Sequence, residues 1–223
     1  MNINFHKNLE NGAKDLCIGY AIIDGVSIIK SNNELDKEID SLIAEIRSFY
    51  KSPQSMYSSN KIDAMRRILK DKGMDPTRYR ASAEALLKRV LDGQQLYRIN
   101  AVVDANNMGS MKFALPMGVY NLSNISGDVT FKFGEKGEFM ETMAKGKMDM
   151  ENFLISKDES KPFGSFVSDS VSTKVTNQTK RILLLVYGLE DFTEENILEA
   201  TEFTAQRIVN YNSGRIAEIG VNS

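Results

Sequence analysis

Ile99-Asn-Ala-Val-Val-Asp-Ala-Asn-Asn107, followed closely by Leu115-Pro-Met-Gly-Val-Tyr120, is the stretch on which the reading of this chain turns. Polar groups crowd the end of an apolar run. Buried amides and carboxylates are costly unless each finds a partner, so such density marks either a tied-down turn or a ligand site. The run predicts a strand over Ile99 to Val103, with Asp104, Asn106 and Asn107 at its C-terminal end. A strand end suits a site because side chains leave the packed sheet there. An asparagine amide both donates and accepts, so it can read a ribose, an amine or a carbonyl. The alternative is Asx bonding to the local backbone.

Upstream lies Arg78-Tyr-Arg-Ala-Ser-Ala-Glu84. Arg80 and Glu84 are i,i+4 neighbours, which reads as a surface ion pair of about 0.3–0.5 kcal/mol. The other reading points an arginine at a phosphate or a carboxylate. Residues 61–98 hold ten basic and five acidic side chains in a chain of net charge −2. Such a patch fits an RNA backbone, and it equally fits a solvated helix face. Downstream, Ser168-Asp-Ser170 and Val175-Thr-Asn-Gln-Thr179 precede the strongest strand. Their hydroxyls and amides can line a pocket or cap a loop. Met140, Met143, Met148 and Met150 interleave with charges and read as a flexible interaction surface or as a half-buried segment.

Around these elements the periodicity is regular. Leu16 to Ile23 reads as a buried strand, with Val26 to Ile29 as a hairpin continuation past Asp24-Gly25. Asn33 offers an N-cap for an amphipathic helix over 34–50. Lys51 to Asn60 reads as a connecting loop. Ile62, Met65, Ile68 and Leu69 mark a second helix stopping at Gly73, and Asp75-Pro76 forces a turn. Ala83, Leu86, Leu87, Val90 and Leu91 mark a third helix, closed by Asp92-Gly93. Val129 to Phe133, Phe153 to Ile155 and Phe163 to Phe166 are strand candidates. Gly134-Glu-Lys-Gly137 is a turn and not a nucleotide motif. Arg181 to Tyr187 is a continuous apolar strand expected at the centre of a sheet. Thr193 caps a last helix whose buried face carries Ile197, Thr201, Thr204, Ala205, Ile208 and Val209. Helices at both ends with strands between argue an α+β fold.

Composition removes whole classes of function. The chain has 223 residues, 42% of them hydrophobic and 26% charged, which suits one soluble domain or one with a helical addition. The division expected is a strand and helix region over 1–75 and a main domain over 76–223. No apolar run approaches the roughly 20 residues that cross a bilayer, and the first residues lack the apolar core of a signal peptide. No membrane association and a cytoplasmic location are expected. A single cysteine, Cys17, excludes an intramolecular disulfide framework. A single histidine, His6, excludes a His-pair metal site and a triad with a distal histidine base. No metal and no cofactor are expected.

Taken in order, the polar elements resemble the B3/B4 domain, the editing domain of the bacterial phenylalanyl-tRNA synthetase β subunit. Asn100-Ala-Val-Val-Asp-Ala-Asn-Asn107 resembles that family's Asn-x-Val-Val-Asp-x-Thr-Asn element. Leu115-Pro-Met-Gly-Val-Tyr-Asn121 resembles its Gln-Pro-Leu-His-Ala-Phe-Asp element at the right separation. Val175-Thr-x-x-Thr179 resembles a third, and the arginine segment is similar to that of free-standing members. The resemblance runs from about Arg78 to Gly188. It implies mixed sheets around a pocket, flanked by helices, and an activity on the 3′ end of tRNA.

By position the resemblance puts Asn107 in the pocket near the aminoacyl group. Asn106 stands where the family has threonine, Gly118 where it has histidine, and Leu185 where it has a glutamate that reads a tyrosine hydroxyl. Polar discrimination of that kind is worth a factor of roughly 10⁴, so tyrosine specificity is not expected here. The expected ligand-binding residues are Arg78, Arg80, Glu84, Asn100, Asp104, Asn106, Asn107, Tyr120, Asp169, Thr176 and Thr179. Asn107 and Asn106 are the best catalytic candidates, as amide donors to a developing oxyanion. The partner implied is tRNA or aminoacyl-tRNA, with two outcomes open: a deacylase of a misacylated tRNA, or a non-catalytic module for an amino acid, a nucleotide or an RNA end.

Overall fold

The strand Arg181–Gly188 (β9) alternates its side chains between two cores, and the whole architecture follows from that. Ile182, Leu184 and Val186 enter one hydrophobic cluster, while Leu183, Leu185 and Tyr187 enter the other. All six are buried, as the continuous apolar run requires. The computed structural model describes residues 1–223 apart from Lys14, Ser58, Ala144, Glu190 and Asp191.

In its sheet β9 lies between Cys17–Asp24 (β2) and Met117–Asn121 (β3), with Arg215–Asn222 (β10) on the far side of β2. All pairs are antiparallel. A second sheet is mixed. Ile3–Phe5 (β1) pairs in parallel with Val129–Phe133 (β4), and Leu154–Lys157 (β7) and Pro162–Ser165 (β8) follow antiparallel. The hairpin Phe139–Thr142 (β5) and Gly146–Asp149 (β6) stands apart.

One core lies between the two sheets and holds Tyr120, Phe131, Phe163 and Tyr187. The other lies between the β9 sheet and a helical layer. That layer comprises Asn33–Tyr50 (α1), Ser82–Leu91 (α4), Ala101–Phe113 (α5) and Glu194–Asn212 (α6). Asn60–Asp71 (α3) spans the two cores: Ile62 joins the helical one, while Met65, Ile68 and Leu69 join the one between the sheets. The fold is α+β, with mixed and antiparallel sheets flanked by helices. Among the described residues no helix is long and apolar enough to cross a membrane.

Several local expectations change. Ile99 to Val103 is not a strand. The Asn100 side chain accepts from the backbone N–H of Val102 at 3.1 Å and of Val103 at 3.0 Å, which makes it the N-cap of α5. That cap outweighs the strand preference of the two valines. Asp104, Asn106 and Asn107 therefore lie on a helix, not at a strand end. Val26 to Ile29 does not continue a hairpin either. The Val26 N–H donates to Lys180 O and the Ser27 N–H to Asn212 O, and β10 takes the place beside β2. The cap of α1 is Asn32, one residue before the expected one. Within Lys51 to Asn60, Ser52 caps a short helix, Pro53–Met56 (α2), with proline favourably at its first turn. Ser58 of that stretch lies outside the described residues.

Candidate functional site

Tyr120 is buried between the sheets, and its hydroxyl donates to Asp169 Oδ1 at 2.6 Å. Two glycines make room for it. A Cβ on Gly118 would lie 2.1 Å from the Tyr120 hydroxyl oxygen, and one on Gly164 would lie 2.3 Å from it. Gly118 pairs directly with Leu185 across the β3–β9 ladder. These two positions are thus cross-strand neighbours on the face where Tyr120 lies.

Close by, the Ser156 and Tyr187 hydroxyls share a hydrogen bond of 3.1 Å, and the Phe163 ring meets Tyr120 edge-on at 4.9 Å. Burial pushes the Asp169 carboxyl up to about 7, against the lowering effect of the Tyr120 hydrogen bond. Burial, then the Asp169 charge, holds Tyr120 well above the ordinary tyrosine range, and Tyr187 is raised for the same reasons. Asp169 as a residue keeps partial exposure, so this cluster reaches from the core to the rim.

Three segments form that rim. The Met143 N–H donates to the backbone oxygen of Asp169 at 3.3 Å. Lys145 Nζ donates to Arg78 O at 3.3 Å and stands 4.5 Å from the Tyr79 ring centroid. The Ser82 N–H at the start of α4 donates to Phe166 O at 2.8 Å. The Arg78 segment, the β5–β6 hairpin and the turn after β8 therefore converge near Tyr120 and Asp169.

Arg80 and Glu84 do pair, at 3.7 Å, but the setting is not a solvated surface. Glu84 is fully buried, and its shorter partner is Arg66 at 2.7 Å. Burial raises the Glu84 pKa, and the two guanidiniums oppose that shift. Arg80 Nε and Glu84 Oε2 are buried without hydrogen-bond partners. Of the basic residues over 61–98, Arg67 pairs with Asp63, Lys88 with Asp92, and Arg98 with Asp36 and Asp40. Much of the positive charge is therefore compensated within the fold.

The asparagine group sits elsewhere. Asn100 caps α5, and Asp104 accepts from the Ile99 N–H at 3.0 Å in the same turn. Burial raises the Asp104 pKa, offset by that bond and by the Arg98 charge. Asn106 is buried. Its Nδ2 donates to Met117 O at a long 3.4 Å, and its Oδ1 has no partner. Asn107 is half-buried, and as the next residue on a helix it faces away from Asn106. The α5 helix packs on the side of β3 that joins the helical core, opposite Tyr120. Thr176 and Thr179 tie a turn: the Thr176 N–H donates to Thr179 Oγ1 at 2.9 Å, and the Thr179 N–H donates back to Thr176 O.

The structure thus brings Arg78, Tyr120 and Asp169 to one neighbourhood, with Arg80 just before the adjoining helix α4 and Glu84 on it. It sets Asn100, Asp104, Asn106 and Asn107 on the other side of the sheet, and Thr176 and Thr179 in a turn. Sequence reading missed Arg66, Ser156, Gly164 and Tyr187. Only Gly164, a glycine inside a short apolar strand, carried a local signal of close approach.

No curated protein matches the chain. Among solved structures it is similar to an N-terminal fragment of the phenylalanyl-tRNA synthetase β subunit from Pyrococcus horikoshii, with 14% identity and a TM-score of 0.49. The likeness covers 97% of this chain and 50% of that one, so the chain spans half the length of the fragment. The B3/4 domain family matches residues 64–210, a span that takes in the rim, the helix α5, the strand β3 and the central strand β9. This chain belongs to the B3/4 domain family.

Proposed function

We propose that this protein recognises the aminoacylated end of a tRNA. The observation that supports the reading is the family match over 64–210, which spans the polar elements from Arg78 to Thr179. In this reading the rim formed by Arg78, Tyr79 and Lys145 receives the ligand and Asp169 lies beneath it. Residues 1–75 brace the main domain, and the protein works in the cytoplasm. Gly118 and Leu185 supply neither an imidazole nor a carboxylate, so the phenol of a tyrosyl ester has no acceptor from them.

Recognition without turnover is the reading the geometry favours. Asn106 and Asn107 point to different sides of one helix, so they do not converge as two donors on one oxyanion. The second reading adds hydrolysis of a misacylated ester, an already activated bond that a positioned water can attack without a histidine. Half-buried Asn107 would carry it.

Binding and deacylation are to be measured together on a panel of correctly and wrongly charged tRNAs, with wild type and Asn107→Ala. Binding of charged tRNA with the ester intact is the expected result. Turnover of one ester that disappears in Asn107→Ala establishes the deacylase instead. Neither binding nor turnover overturns the proposal.

A further inference from the structure

The helix α4 and the loop after it form a second feature that the inner cluster does not use. Arg80, Ala85, Leu86, Lys88, Arg89 and Tyr97 line an open groove of about 370 Å³, closed by Asp92 and Gln94. Tyr97 is 70% exposed, an unusual state for an aromatic ring. It is nonetheless held in place. The Arg89 guanidinium carbon lies 4.0 Å from its ring centroid, and Arg89 Nε donates to Gln95 O at 2.6 Å. The arginine thus fastens the loop to α4 and fixes the ring while most of the ring faces solvent. Ala85, which is exposed, and Leu86, which is half-buried, give the groove the apolar part of its lining. Its walls carry three cations and one carboxylate, with Lys88 paired to Asp92.

We propose that this groove holds a single-stranded RNA segment, with a base stacked on Tyr97 and phosphates met by Arg89, Lys88 and Arg80. The inference rests on the tRNA reading above and adds a docking surface to it. A fixed aromatic plane beside cations is what sequence-tolerant binding of single strands requires, because every base offers a π face. Prior immobilisation of the ring lowers the ordering cost of binding. Charge complementarity selects a polyanion. A fixed flat ring beside apolar lining selects one that carries bases. Asp92 competes with phosphate for Lys88, so the groove contains its own brake on affinity.

The test is fluorescence anisotropy with a short labelled single-stranded RNA of mixed sequence and with an oligoglutamate peptide of equal length. Wild type, Tyr97→Ala, Tyr97→Phe and Asp92→Asn are compared, with thermal unfolding as the folding control. Tyr97→Ala is expected to weaken RNA binding roughly tenfold, and Tyr97→Phe is expected to stay close to wild type. Asp92→Asn is expected to tighten binding. Log K should fall with log salt with a slope near −1.4 if about two phosphates are met. RNA binding that is unchanged in both Tyr97→Ala and Asp92→Asn overturns this inference and leaves the tRNA reading standing. No RNA binding by wild type overturns this inference, while the tRNA reading stands or falls on the panel of charged tRNAs. Equal binding of oligoglutamate that Tyr97→Ala also weakens overturns the assignment to RNA.

Discussion

Gly118 and Leu185 face each other across the β3–β9 ladder, and the Tyr120 hydroxyl stands where a side chain on residue 118 would begin. The absence of a side chain at one position and the presence of a tyrosine two residues on are therefore one arrangement. A side chain at 118 and the ring of Tyr120 exclude each other sterically.

Gly118→Ala tests that exclusion. Its Cβ would meet the Tyr120 hydroxyl at 2.1 Å and the ring carbon behind it at 2.5 Å, in a core with no exit for the ring. Overpacking of this kind costs about 1–3 kcal/mol. In a double-mutant cycle with Tyr120→Val the cost should largely vanish, giving a coupling of at least about 1 kcal/mol in urea unfolding. Additive costs would show that the two positions do not compete for space.

Tyr120→Phe keeps the ring and removes the donor to Asp169. A buried acceptor left without its partner costs about 1–3 kcal/mol. The unfolding midpoint in urea should fall with the slope unchanged. A variant as stable as wild type would mean that Asp169 finds another donor.

Asp169 gives stability a pH signature. Its carboxyl titrates near 7 in the fold, above the value of about 3.9 expected of an unfolded aspartate. The unfolded chain releases that proton first, so the contribution is complete below pH 4 and is lost as pH rises towards 7. Asp169→Asn keeps an acceptor for Tyr120 and removes the titration. The stability of the variant relative to wild type should rise between pH 4 and 7, by a few kcal/mol at most. A constant difference across that window would place the Asp169 pKa near its ordinary value.

Arg66→Ala should be the most damaging of the charge deletions around α4. Glu84 is fully buried and Arg66 is its partner at 2.7 Å, whereas Arg80 stands at 3.7 Å. Removing the partner of a buried charge costs about 3–5 kcal/mol. Arg67→Ala, whose ion pair with Asp63 is exposed, should cost less than about 1 kcal/mol by the same measurement.

Much of the fold is legible in the chain because its signals are local. The continuous apolar run of β9 and the helical spacing in α1, α3, α4 and α6 each mark their element correctly. Ile99 to Val103 misleads because a strand and the first turn of a capped helix share the same apolar residues. The decisive bonds are those of the Asn100 side chain to Val102 and Val103. The edge strand β10 goes unnoticed because a half-exposed strand needs no strict alternation. The inner cluster is illegible for another reason: Tyr120 and Asp169 are 49 residues apart, and no spacing rule joins them. Charge counting over 61–98 likewise cannot distinguish Arg66, sealed onto Glu84, from Arg89, laid against an exposed ring.

The position of β2 has a further consequence, in the order of assembly. β2 is eight residues long and almost wholly buried, yet both strands that flank it, β9 and β10, come from the far part of the chain. During synthesis this apolar strand stays without its hydrogen-bonded neighbours until β9 and β10 have been made. Pairings so distant in sequence slow folding and prolong the exposure of sticky, open-edged intermediates. The nascent chain should therefore depend on chaperones far more than the finished protein does, because α6, the helix that packs on β2, is also made after α1 to α5.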